Sequence, residues 1–229
     1  LQWLGSPRWS RHHDRMASMS AAVSARGRLF YIMDEGSRIS ILLPSKFHLI
    51  ARDAFNGTIL WKKPIEKWST NMWPLKTGPT TLTRRLVADG ERIFVTLGIT
   101  DPVAMLDAAT GEVLKTFPET KGAEEMLFSN GTLYALLNPA AEWVLKDYAP
   151  KLQQDQKRVA QEYEWDKKPR VLVALNPETG KVLWKMEGLI APLTPAVDGR
   201  NARVPWQARH PSAFACSPPL ANRPWCGSA

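Results

Sequence analysis

Residues Leu172–Glu187 read LVALNPETGKVLWKME. An apolar run, Leu172 to Leu175, enters a polar turn, Asn176-Pro177-Glu178-Thr179-Gly180, and a second apolar run, Val182-Leu183-Trp184, leaves it. Two β-prone segments around a turn whose glycine takes φ > 0 without steric cost predict a β-hairpin. The phrase occurs twice more, as LIARDAFNGTILWKKPI at 49–65 and as VAMLDAATGEVLKTFPE at 103–119. A unit present three times is a repeat, and a repeat decides architecture before any single residue does.

A second hairpin type alternates with the first. SAAVSARGRLFYI (20–32) turns at Arg26-Gly27, LVADGERIFVT (86–96) at Asp89-Gly90, and MLFSNGTLYALL (126–137) at Asn130-Gly131. Asp-Gly and Asn-Gly suit a type I′ turn, which needs φ > 0 at both central positions. A fourth instance begins at Pro195 with PAVDGR. Gly90, Gly111 and Gly131 are spaced 21 and 20 residues apart, a period of about 41, the length of a four-stranded propeller blade. The predicted fold is therefore all-β: an incomplete β-propeller of about three blades (19–65, 79–118, 124–187) plus the start of a fourth (193–199).

Longer spacings read as insertions in connecting loops, at 38–47, at 66–78 and, largest, at 138–170 within the third blade. The last is rich in Ala, Glu, Gln and Lys and predicts a helical excursion broken at Pro150. Residues 1–18 form a polar lead-in. From Arg200 the alternation stops: five prolines fall in thirty residues, with no acidic residue and both cysteines, Cys216 and Cys226. Proline at that density opposes a central strand. Residues 200–229 therefore read as an aberrant or disordered tail, or as a shifted reading frame.

The bulk numbers exclude some classes. The 229 residues carry 30 Lys and Arg against 22 Asp and Glu, a net charge of +8. Four of the excess cations, Arg200, Arg203, Arg209 and Arg223, lie in the tail. The repeat region is only mildly basic, without a Lys/Arg run or a basic helix, which argues against a nucleic-acid partner. No stretch approaches the roughly 18 apolar residues of a membrane span. The chain starts at Leu1 and is read as lacking its natural N-terminus.

Asp53-Ala54-Phe55-Asn56-Gly57-Thr58-Ile59-Leu60-Trp61 and Asn176 to Trp184 resemble the tryptophan-docking motif of quinoprotein-type β-propellers. Asp107 to Lys115 is similar, with Lys115 in the place of Trp. That family includes the pyrroloquinoline-quinone (PQQ) alcohol dehydrogenases and non-enzymatic relatives such as the outer-membrane assembly lipoprotein. The lead-in and first blade also resemble the opening of bacterial PQQ-binding-like repeat proteins. The likeness covers residues 1–199. It implies an exported or periplasmic location. In enzymatic members it also implies PQQ, a calcium held by Glu, Asn or Asp, a catalytic Asp and an adjacent Cys pair.

None of those catalytic features can be placed on these residues. The two cysteines are not adjacent, and no acidic spacing marks a calcium loop. His12-His13-Asp14 is the most conspicuous polar cluster, but neighbours on a strand point to opposite faces. His48 and His210 stand alone. Asn56-Gly57-Thr58 and Asn130-Gly131-Thr132 match a glycosylation acceptor but read as turns. The motif residues Asp53, Gly57, Trp61, Asp107, Gly111, Asn176, Gly180 and Trp184 are read as structural. A buried Trp covers about 150–250 Å² and contributes on the order of 4–6 kcal/mol before entropy costs. Trp68, Trp73, Trp143, Tyr148, Tyr163 and Trp165, all in insertions, form a candidate interaction surface.

The sequence thus predicts a non-catalytic binding or scaffold propeller, with no cofactor evident. Its partner is another protein or the missing blades of the same propeller. The alternatives are a fragment of a PQQ-dependent oxidoreductase and a ligand-sensing or carbohydrate-associated propeller.

Overall fold

A computed structural model describes residues 19–37, 39, 43–68, 84–139, 168–198, 201–204 and 214–216. Its described elements are strands and a single 3-10 turn at Pro118–Thr120. The first sheet holds β1 (Met19–Ala25), β2 (Arg28–Asp34), β3 (Phe47–Asp53) and β4 (Ile59–Pro64). The second holds β5 (Leu86–Asp89), β6 (Arg92–Thr96), β7 (Val103–Asp107) and β8 (Val113–Phe117). The third holds β9 (Ala123–Ser129), β10 (Thr132–Leu137), β11 (Arg170–Leu175) and β12 (Val182–Gly188). In each, the strands lie in sequence order and every neighbouring pair is antiparallel.

The central strands are buried on both faces, which is why they read as unbroken apolar runs. In β6 and β7, alternate residues serve opposite neighbours. Ile93, Val95, Ala104 and Leu106 pack with Phe30, Ile32, Leu49 and Ala51 of the first sheet. Phe94, Val103 and Met105 pack with Leu133, Ala135, Val173 and Leu175 of the third. The opposite face of the third sheet packs Tyr134, Leu136, Leu172 and Ala174 against Ala202. The sheets are therefore stacked layers that share cores, as blades around an axis.

The innermost strands follow from the contacts between sheets: β1 meets β5, β5 meets β9, and β9 meets β13 (Ala196–Asp198). The fourth strands, β4, β8 and β12, form the outer rim, with exposed and half-buried residues mixed. This is an incomplete β-propeller of four-stranded antiparallel blades.

The tail departs from the sequence reading. Asn201–Val204 (β14) pairs with Ala196–Asp198 (β13), and Phe214–Cys216 (β15) pairs with β14, giving a three-stranded fourth sheet. These segments lie between the prolines rather than on them, so their amides remain available for ladder bonds. The predicted helical insertion lies outside the described residues except at its stems, 138–139 and 168–170, as does the lead-in 1–18. No helix among the described residues is long and apolar enough to cross a membrane.

Candidate functional site

Alternating strand direction sorts the connections onto two ends. One end carries only tight turns: Arg26-Gly27, Gly90-Glu91 and Asn130-Gly131, and the motif turns at 53–58, 107–112 and 176–181. Among the described residues, the other end carries the strand ends that flank the longer connections, both within blades (35–46, 97–102, 138–169) and between them (65–85, 118–122, 189–195).

At the turn end the three motif turns share one bonding scheme. The Gly57, Gly111 and Gly180 amides donate to the carbonyls of Asp53, Asp107 and Asn176 at 2.9, 2.9 and 2.8 Å. The side-chain Oδ1 of Asp53 accepts the amides of Phe55 and Asn56, that of Asp107 the amides of Ala109 and Thr110, and that of Asn176 the amides of Glu178 and Thr179. The Thr110 amide, with that of Ala109, holds the Asp107 carboxyl below its ordinary pKa. Each turn sits beside a register shift in its strand pair, a bulge repeated blade by blade.

Trp61 docks on the next blade. Its indole N–H donates to the Ala108 carbonyl at 3.0 Å, and its ring lies over Gly111, where an added Cβ would be 2.8 Å from Cε3. Lys115 takes the corresponding role one blade on. Its ammonium donates to the Glu178 carbonyl, and its stem passes Gly180. Arg92 adds an ion pair to the Glu178 carboxylate. The Trp61 contact is aromatic and tight, whereas the Lys115 contact is polar and looser. Trp184 packs half-buried with its ring centroid 6.0 Å from that of Tyr134.

The loop end holds the buried charges. Glu125, fully buried on inner strand β9, accepts from Arg84 at 3.0 Å and from the Leu193 amide at 2.7 Å. The Met126 amide donates to the Arg84 carbonyl at 2.7 Å. One carboxylate thus joins the lead-in to β5, strand β9 and the connection to the fourth sheet. Burial pushes its pKa up, and the Leu193 amide and Arg84 oppose that rise. Beside it, Glu124 accepts from Arg170 Nε at 2.8 Å and from Asn138 Nδ2 at 2.5 Å, so it ties both stems of the largest insertion.

Trp68, expected on an interaction surface, is instead fully buried in the core between the first two sheets. Arg85 explains why: its guanidinium lies 4.1 Å from the Trp68 ring centroid and donates to the Trp68 carbonyl. Arg85 also reaches the carbonyls of Gly98 and Ile99 and the Thr96 hydroxyl. Burial lowers its pKa to about 10, an effect that Glu124 partly opposes. A flat cation on an indole face removes both from water together. Trp73, Trp143, Tyr148, Tyr163 and Trp165 lie outside the described residues, as do His12, His13, Asp14 and His210. His48 places Nδ1 2.9 Å from Glu35 Oε2 without making a hydrogen bond, while Lys62 donates to both Glu35 oxygens at 2.7 and 2.8 Å.

Sequence reasoning missed Arg84, Arg85, Glu124, Glu125 and Arg170. Their signal was available: one or two charges directly before an apolar run, in RRLVAD, EEML and RVLVAL. Glu124 and Glu125, the carboxylates on the inner strand, are already engaged by arginines and amides. No group of three His, Cys, Asp or Glu among the described residues is placed to hold a metal.

The family described as outer membrane protein assembly factor BamB matches residues 45–187. No curated protein matches the chain. Among solved structures, an acylaminoacyl peptidase from Pyrococcus horikoshii superposes with a TM-score of 0.55 at 14% identity, over 91% of this chain and 32% of that one. BamB from Moraxella catarrhalis gives 0.48 at 12% identity, over 94% of this chain and 48% of that one. A europium-containing methanol dehydrogenase gives 0.43 at 11% identity, over 76% and 26%. The chain thus spans between a quarter and a half of these proteins, and the likeness at 0.55 is one of fold.

Proposed function

This chain belongs to the family of the outer membrane protein assembly factor BamB, and from that premise we propose that it is a non-catalytic propeller module. In this reading it is exported to the periplasm and presents its loop-bearing end to a protein partner. One observation carries the reading: the described stems of the long connections lie on one end, tied to the inner strands by Glu124, Glu125 and Arg85. Tight turns at the other end leave little to vary, while long loops on a rigid scaffold are where binding residues concentrate. The inner carboxylates are spent on arginines and backbone amides, so they serve to hold loops. The family name suggests a partner among the proteins of outer-membrane assembly.

Two measurements test the proposal. Replacing residues 140–167 with a short Gly-Ser linker should abolish crosslinking to an outer-membrane assembly component while the cooperative melt of the sheets persists. Unchanged crosslinking would count against the loop-bearing end. Quinone absorbance and dye reduction on adding PQQ and Ca²⁺ to the protein would overturn the non-catalytic reading.

A further inference from the structure

The chain contains the tripeptide Asn-Gly-Thr twice, at 56–58 and 130–132, and the fold treats the two copies differently. We propose that Asn130 is a site of spontaneous covalent modification, deamidation through a succinimide, and that the motif turn protects Asn56 from the same reaction.

The chemistry needs only the chain and water. The Gly131 backbone nitrogen attacks Asn130 Cγ. The N–Cγ bond forms, the Cγ–Nδ2 bond breaks, and ammonia leaves carrying the amide proton. Water then opens the ring at either carbonyl and yields aspartate or isoaspartate. An Asn-Gly pair favours this step because glycine presents no side chain to hinder the attacking nitrogen.

At Asn56 the reacting atoms are held. The Gly57 amide, the nucleophile, donates to the Asp53 carbonyl at 2.9 Å. The Asn56 Oδ1, on the electrophilic amide, accepts the Thr58 amide at 2.8 Å. The Asn56 backbone amide is bound to Asp53 Oδ1 at 2.9 Å. At Asn130, neither the side chain nor the Gly131 amide has a hydrogen-bond partner among the described residues. Asn130 is exposed, and a Cβ built at Gly131 would meet nothing within 4 Å, so the turn has room to rearrange. Asn130 has φ of 47° and Gly131 of 72°, the type I′ pair that Asn-Gly adopts readily.

The consequence falls on the inner hairpin of the third blade. Ser129 and Thr132 are paired directly across the turn. An isoaspartate adds a backbone carbon to a two-residue loop that sets this register.

The test uses the identical tripeptides as each other's control. The native protein is incubated at mildly alkaline pH and sampled by peptide mapping for the amide-to-acid mass gain at each site. A parallel incubation is run in denaturant. In the native chain Asn130 should react on the order of tenfold faster than Asn56, because two hydrogen bonds to reacting groups must break first at Asn56. In denaturant the two rates should converge. Equal rates in the native chain, or a faster reaction at Asn56, would overturn the proposal. A ratio that persists in denaturant would overturn it as well, by placing the cause outside the fold. Asn130→Ser should remove the faster product and leave the slower one.

Discussion

Gly111 and Gly180 occupy the same place in successive motif turns, yet replacing each with alanine should have different effects. Both have positive φ, 74° and 76°, so alanine at either incurs about 1–2 kcal/mol of left-handed strain. At Gly180 that is nearly the whole effect. The nearest atoms to a built Cβ are Lys115 Cδ at 3.8 Å, Lys115 Nζ at 3.9 Å and Phe117 Cδ1 at 4.0 Å, ordinary contacts. At Gly111 the Cβ would lie 2.8, 2.9 and 3.1 Å from three atoms of the Trp61 ring. A rigid indole fixed by its bond to Ala108 cannot yield without giving up that bond. Overpacking of this kind costs about 1–3 kcal/mol. Gly111→Ala should therefore destabilise by about 2–5 kcal/mol and Gly180→Ala by about 1–2 kcal/mol. Urea unfolding followed by far-ultraviolet circular dichroism measures both. Adding Trp61→Ala should relieve the steric part, giving a coupling of about 1–3 kcal/mol in a double-mutant cycle. Equal costs at the two glycines, or no coupling to Trp61, would refute the claim that Gly111 is required for indole docking.

Three further outcomes are expected. Lys115→Trp should restore an aromatic dock on Gly180 and stabilise by about 1–2 kcal/mol, with less dependence on salt, as thermal melts at low and high ionic strength would show. Arg85→Met should strand the Trp68, Gly98 and Ile99 carbonyls and cost about 3 kcal/mol or more, with a shift in tryptophan emission as Trp68 loses its cover. Glu125 has a raised folded pKa, so its contribution to stability is full below its ordinary 4.5 and is lost as pH rises through the raised value. The stability of the native protein minus that of Glu125→Gln should therefore fall with pH across that window and then level off. A flat or rising difference in pH-dependent melts would contradict that assignment.

The repeat was legible because its residues satisfy local demands. Asp53, Asp107 and Asn176 must bond the turn amides two and three residues on, and Gly57, Gly111 and Gly180 must take positive φ. Both demands act over a few residues, so they leave a periodic trace. The buried arginines and glutamates left less trace, since a charge beside an apolar strand looks solvated until its partner is known. Arg84 and Glu125 are 41 residues apart in sequence. Trp68 misled for the same reason: a tryptophan in an insertion reads as exposed, and only the shared core of the first two sheets, with Arg85 packed on the ring, buries it.

The chain's residues alone determined the all-β class, the four-strand unit and the motif turns, because each follows from short-range periodicity and turn chemistry; the hairpin read at Asp89-Gly90 turns instead at Gly90-Glu91, with positive φ at Gly90 and not at Asp89. Tertiary structure alone decided that the described stems of the insertions share one end, that Trp61 docks on Gly111 while Lys115 stands in for tryptophan at Gly180, and that Glu125 joins three successive sheets. It also decided that strands at 201–204 and 214–216 extend the fourth sheet. These are contacts between blades, set by how twisted sheets stack around an axis, and no local pattern encodes the distance between residues on neighbouring layers.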